Sequence, residues 1–127
     1  IGYISEFASE MESLNSLWWN QGVTDLSSWY ESTGGLFKRY GVLIKLAMCI
    51  RTLHAKGLVY CDLSPNNVFI STNPNKHNVF LIDLDNLRYR TSIIHNIYTP
   101  NYGAPEVVKN LAPNTPMSDC YSFAVIA

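Results

Sequence analysis

The chain has 127 residues, a formal net charge of −1 from nine basic and ten acidic side chains, and 47% hydrophobic and 13% aromatic residues, enough apolar material for one globular unit rather than a disordered tail. This charge balance leaves no electrostatic footprint for nucleic acid or an anionic membrane, so neither is expected as a partner. Cys49, Cys61 and Cys120 lie far apart without a CxxC pair, and Lys45 interrupts the apolar run GVLIKLAMCI well short of the roughly 18 residues of a membrane span. A soluble chain in a reducing, cytoplasmic compartment is expected.

In chain order, Ile4 lies in a short strand-like opening, followed by a stretch that mixes polar and aromatic residues with turn formers. A short helix is predicted around Leu26 to Tyr30, capped by Thr24 or Asp25. Leu36, Tyr40, Leu43, Ala47, Ile50 and His54 recur at steps of three and four, which predicts an amphipathic helix over Leu36 to Lys56 with Gly57 as its stop. Val68 to Ile70 and Val79 to Ile82 are two short strands around the turn signal Asn73-Pro74-Asn75, making a hairpin behind the long helix. The chain opens on Ile1 without an initiator methionine and closes on the apolar run Ser122 to Ala127, the pattern expected of a piece of a larger domain.

Two polar insertions interrupt this apolar framework. Tyr60-Cys61-Asp62-Leu63-Ser64-Pro65-Asn66-Asn67 separates GLVY from VFI, and Asp83-Leu84-Asp85-Asn86 ends the second strand. Taken alone, Asp62, Asn66 and Asn67 could simply cap or turn a loop through bonds to their own backbone. If the hairpin pairs, however, Asn67 and Asp83 meet at its open end with Asp62 a few residues away. An amide oxygen and a carboxylate suit magnesium, which shares its remaining positions with water and phosphate, and the second carboxylate is then free to act as a base.

These residues resemble the protein kinase superfamily. Tyr60 to Asn67 is similar to the catalytic loop H-R-D-L-K-P-x-N, Asp83-Leu84-Asp85 to the metal motif D-F-G, Thr99-Pro100-Asn101-Tyr102-Gly103-Ala104-Pro105-Glu106 to the segment ending A-P-E, and Ser118-Asp119-Cys120-Tyr121-Ser122-Phe123 to the helix S-D-V-W-S-F. Four motifs in the family's order carry the resemblance across nearly the whole chain. It implies an α+β, protein-kinase-like fold, residues 1–127 being a partial domain that runs from the hinge to the helix after the A-P-E motif. It also implies transfer of the ATP γ-phosphate to serine or threonine hydroxyls of protein substrates. Asp62, Ser64 and Thr99 would form the catalytic set, with Asp62 as base, while Asn67 and Asp83 would hold magnesium. Backbone groups of Glu6 and Ala8 in the hinge would bind adenine, with Ser5 as gatekeeper and Phe69 as the floor. Asp119 would brace the backbone of the catalytic loop, or else serve as a plain helix N-cap.

Three departures from the family pattern stand out. Ser64 replaces a lysine that contacts the transferred phosphate, Cys61 replaces an arginine that pairs with a phosphorylated activation segment, and Asp85 replaces a glycine with freer backbone angles. The Gly-rich loop, strand lysine and partner glutamate are not found in the chain and are expected upstream of Ile1. A pseudokinase or regulatory binding module is therefore the alternative to an active kinase, and a small-molecule phosphotransferase the weaker one.

Overall fold

The computed structural model describes residues 10–19, 22–92 and 96–127. The opening strand at Ile4 and the hinge residues Ser5, Glu6 and Ala8 lie outside the described residues. The first helix, α1 (Leu26–Ser32), runs two residues beyond the expected Tyr30 and takes Asp25 rather than Thr24 as its cap. The Asp25 carboxylate accepts the Ser28 hydroxyl at 2.7 Å and the Ser28 N–H at 3.1 Å, and these bonds hold its pKa below the usual carboxylate value.

The long helix α2 (Gly35–Ala55) is where the sequence places it, and Gly57 at φ +73° closes it by donating its N–H to the His54 carbonyl at 2.9 Å. Its buried stripe differs from the expected one. Lys38, Val42, Leu46 and Ile50 face the core, whereas Leu36 and Tyr40 are more than half exposed and Ala47 is also exposed. Phe37, Ile44 and Met48 add to the outer face, so α2 is apolar on both sides and periodicity alone cannot choose between two stripes of the same 3.6-residue pitch. A lysine holds a core position because its ammonium is fully used: Lys38 Nζ donates to the carbonyls of Ser71 and Asn73, both at 2.8 Å, and of Lys76. Burial lowers its pKa from the usual lysine value.

Those carbonyls belong to the turn between β3 (Val68–Ser71) and β4 (Val79–Leu81), the antiparallel hairpin read from the sequence, in the register Val68–Leu81, Phe69–Phe80 and Ile70–Val79. The hairpin is not alone. A third strand, β1 (Met11–Ser13), pairs antiparallel with the free edge of β3, completing a three-stranded sheet in the order β1-β3-β4. Its three residues, MES, are too few and too polar to show an alternation. A second small ladder joins β2 (Leu58–Val59) to β5 (Arg88–Tyr89).

The core lies between α2, the sheet and the last helix. Leu14 and Leu17 from a 3-10 turn, Val42, Leu46 and Ile50 from α2, Tyr60 and Leu63 from the following loop, Val68 and Ile70 from β3, and Ile126 from α4 (Pro116–Ile126) form one cluster. Thr115 caps α4 in a reciprocal capping box with Ser118, so Asp119, four residues in, is not the cap. Freed from capping, its carboxylate is buried under the loop that follows β2.

Candidate active site

The polar loop is held from below. Asp119 is 1% exposed, and its two oxygens accept the N–H groups of Tyr60 at 2.8 Å and Cys61 at 2.9 Å. His54 Nε2, at the end of α2, lies 2.9 Å from the same carboxylate. Cys61 adopts a left-handed backbone, φ +72°, which a non-glycine residue holds only under outside constraint, and the two Asp119 bonds supply one. Burial, with Asp119 nearby, pushes the Cys61 thiol up to about 12.

The next residue is Asp62, half-buried. Its Oδ1 accepts the Thr99 hydroxyl at 2.6 Å, and its Oδ2 lies 3.3 Å from Asn67 Nδ2. That amide nitrogen also donates to the Asp62 main-chain carbonyl at 2.9 Å. With the nitrogen engaged on Asp62, Asn67 Oδ1 is the atom left for a cation. A 3-10 turn, Pro65–Asn67, delivers Asn67 to the start of β3, and the Ser13 hydroxyl from β1 donates to the Pro65 carbonyl at 3.0 Å.

Across the hairpin the Ile82 N–H donates to the Asn67 carbonyl at 3.0 Å, which continues the β3–β4 ladder by one rung and brings Asp83, the next residue, to the open end. The Tyr60 hydroxyl donates to the Ile82 carbonyl and thereby ties the loop to this strand. Asp83 is exposed and left-handed, φ +54°, and leads into a 3-10 turn, Leu84–Asn86. The positive φ thus falls on Asp83, whereas Asp85, at the position of the family's glycine, sits inside a right-handed turn. Burial raises the Tyr60 phenol above its usual pKa, and the charges of Asp62, Asp83 and Asp119 push it the same way.

The remaining sequence-derived residues divide. Thr99 reaches Asp62 across 37 positions of chain. Phe69 is half-buried on the face of β3 opposite to the fully buried Val68 and Ile70. Ser64 is completely buried, and its Oγ has no hydrogen-bond partner. Glu6 and Ala8 lie outside the described residues. Three contributors escaped the sequence reading: His54, counted only as a helix position; Tyr60, whose hydroxyl spans the site; and Asn114, which bonds both Cys61 and Ile97. The signal for His54 was its place in the last turn of α2, four residues after Ile50, where a polar side chain continues the inward stripe.

The family model described as protein kinase domain matches residues 20–127. The chain belongs to the protein kinase domain family. It is 32% identical over 91 residues to serine/threonine-protein kinase dkf-2 of Caenorhabditis briggsae, covering 67% of this chain and 7% of that protein. Serine/threonine-protein kinase D2 of Homo sapiens is 33% identical over 91 residues, 67% of this chain and 10% of the relative. The cAMP-dependent protein kinase type 3 of Saccharomyces cerevisiae is 29% identical over 83 residues, 65% of this chain and 20% of the relative. The chain spans a tenth or less of the first two relatives and a fifth of the third, and its described part is the mixed helix-and-sheet arrangement of a kinase-like fragment.

Proposed function

We propose that this chain supplies the catalytic loop, metal-binding turn and activation segment of a serine/threonine protein kinase, which moves the ATP γ-phosphate to a hydroxyl of a protein substrate. The observation that carries the reading is the pinned carboxylate of Asp62, bonded to Thr99 and Asn67, on a loop tied through the Asn67 carbonyl to Ile82, the residue before Asp83.

Asp62 would orient the attacking hydroxyl and accept its proton, since Thr99 and Asn67 fix the carboxylate in one rotamer before substrate arrives. Among the described residues no three His, Cys, Asp or Glu side chains gather into a metal site. The donor set Asn67 Oδ1 and Asp83 nevertheless fits magnesium, which takes one or two protein ligands and completes its shell with phosphate and water. Bound with ATP, the ion would neutralise charge on the transferring phosphoryl group. The half-buried Phe69 would lie under adenine, and Glu6 and Ala8 would meet its edge through their backbone.

A pseudokinase role is the second reading, and Ser64 favours it: the position that offers a lysine in the family holds a neutral, fully buried hydroxyl. The test is made in the native protein that carries this chain. Asp83→Asn is expected to weaken magnesium-dependent nucleotide binding, whereas Asp62→Asn leaves binding nearly intact and lowers single-turnover phosphotransfer by about 100- to 10,000-fold. Nucleotide binding without any phosphotransfer in the unaltered protein would establish the pseudokinase reading instead.

A further inference from the structure

Asn114 lies in the loop between α3 (Pro105–Val108) and α4 and is 6% exposed. Its Nδ2 donates to two main-chain carbonyls from different segments: Ile97 at 2.7 Å and Cys61 at 3.3 Å. Both amide hydrogens are therefore used, and the orientation is fixed, because turning the amide over would set its oxygen against two carbonyl oxygens. The oxygen Oδ1 is left buried without a partner. An unpaired buried acceptor costs about 1–3 kcal/mol, so this side chain is retained for its two donors and not for general packing.

The two carbonyls have significant positions. Cys61 immediately precedes Asp62, and Ile97 stands two residues before Thr99, whose hydroxyl donates to Asp62 at 2.6 Å. Asn114 therefore closes a ring that runs from Cys61 through Asp62 and Thr99 back to Ile97. We propose that Asn114 is a positioning residue that docks segment 97–103 on the catalytic loop through neutral hydrogen bonds, so that Thr99 is held on Asp62 without a phosphate on that segment. The proposal rests on the phosphotransfer reading for its consequence, but not for its geometry.

Two further features fit. The loop residue beside Asp62 is a buried, neutral thiol, which offers a phosphate nothing to pair with. The same segment is held a second time without charge, by the Ser122 hydroxyl donating to the Tyr102 carbonyl at 2.8 Å. Gly103 lets the segment fold on itself, since a Cβ there would meet the Tyr98 ring of the same segment at 2.8 Å.

The test uses the native protein. Asn114→Asp keeps the shape and removes both donors. Amide exchange at 97–103 is expected to rise about tenfold or more relative to α2, and phosphotransfer kcat to fall about tenfold with the nucleotide KM unchanged. A merely structural role would raise exchange in α2 equally. In a second arm that needs no variant, phosphatase treatment of the unaltered protein should change neither the protection of 97–103 nor the rate. Unchanged protection in Asn114→Asp, or loss of protection or rate after phosphatase, overturns the docking. If Asn114→Asp loosens 97–103 in a protein that transfers no phosphate, the docking stands and the catalytic reading falls. If phosphotransfer is present and 97–103 is equally protected in both proteins, the reverse holds. Should Asn114→Asp fail to fold, the phosphatase arm decides.

Discussion

Residues 60–65 and residues 82–85 enter the same site from opposite sides, and they are held in opposite ways. In the first, every residue except Asp62 is buried, and side chains from α4, the Asn114 loop and the activation segment all bond to it. In the second, all four residues are exposed, and the attachments are the Ile82 N–H on Asn67, the Tyr60 hydroxyl on the Ile82 carbonyl and the nearby Arg88 guanidinium on the Asp85 carbonyl. The Asp62 side is thus preorganised by the fold and the Asp83 side is held more loosely, a contrast that suits the base and the metal ligand proposed above. Preorganisation on the base side is what proton transfer needs, because a carboxylate that must first find its rotamer loses the advantage of proximity. A metal ligand can tolerate more freedom, because the cation itself orders its donors.

The largest break in this contrast should come from Asp119. Asp119→Ala leaves two buried N–H groups without acceptors and removes the partner of His54, so a loss of about 3–5 kcal/mol in unfolding free energy is expected. Asp83→Asn, on the exposed side, should change stability by no more than about 0.5 kcal/mol. Chemical denaturation of both variants checks the pair, and equal losses would refute the division into a pinned and a loose side.

Lys38→Met comes next. Methionine preserves the stem's packing while removing the cation from the carbonyls of Ser71, Asn73 and Lys76. A loss of about 2–3 kcal/mol is expected, because part of the exposed turn can rehydrate. Amide exchange should rise first around 71–78, ahead of 60–65. If the loop at 60–65 loosens to the same degree, the hairpin and the catalytic loop are one cooperative unit rather than two.

Alkaline pH probes the pinned side, together with the Cys49 thiol, whose pKa burial also raises, and the Lys38 ammonium, whose pKa burial lowers. The Cys61 thiol, ordinarily near 9.0, is pushed up to about 12, and the Tyr60 phenol is raised above its usual 10.0. Both folded-state values exceed the unfolded ones, so the stability they contribute is complete below about pH 9 and is lost as pH rises toward 12 and beyond. The loss should be roughly 1–3 kcal/mol, and Cys61→Ala should make it shallower. At pH 8 Cys61 should resist alkylation, whereas the exposed Cys120 offers its sulfur to reagent. A flat stability profile from pH 8 to 11 would show that neither group is desolvated.

What the sequence made legible follows the same divide. The long helix, the hairpin and the order Asp62, Asn67, Asp83 could be read because each depends on local pattern: a 3.6-residue period, a turn signal, a short motif. The buried stripe of α2 was misread because it depends on Lys38 finding three carbonyls more than 30 residues away. β1 was missed because three residues, two of them polar, become a strand only when the edge of β3 is offered to them. His54, Tyr60 and Asn114 act through partners 17 to 65 residues distant, and nothing in their immediate neighbours signals those bonds. Local spelling pointed to the candidate site residues, and tertiary contacts alone show what holds them.

The smallest expected effect tests the loose side at its turn. Asp83 holds a left-handed backbone and Asp85 a right-handed one, so the same substitution should act with different sign at two positions two residues apart. Asp83→Gly relieves a strained φ, which offsets the extra freedom that glycine gains in the unfolded chain, and stability should stay level or rise slightly. Asp85→Gly relieves nothing and pays the entropy alone, a loss of about 0.5–1 kcal/mol. Thermal unfolding of the two variants should therefore separate them by about 1 kcal/mol, with Asp85→Gly the weaker. Were Asp85→Gly the more stable of the two, the left-handed residue would be Asp85 and the turn would present its other carboxylate to the site. If the expected order is found, Asp83 is a carboxylate kept where glycine would sit more easily, and a strained residue that persists against an easy alternative marks a functional demand on its side chain.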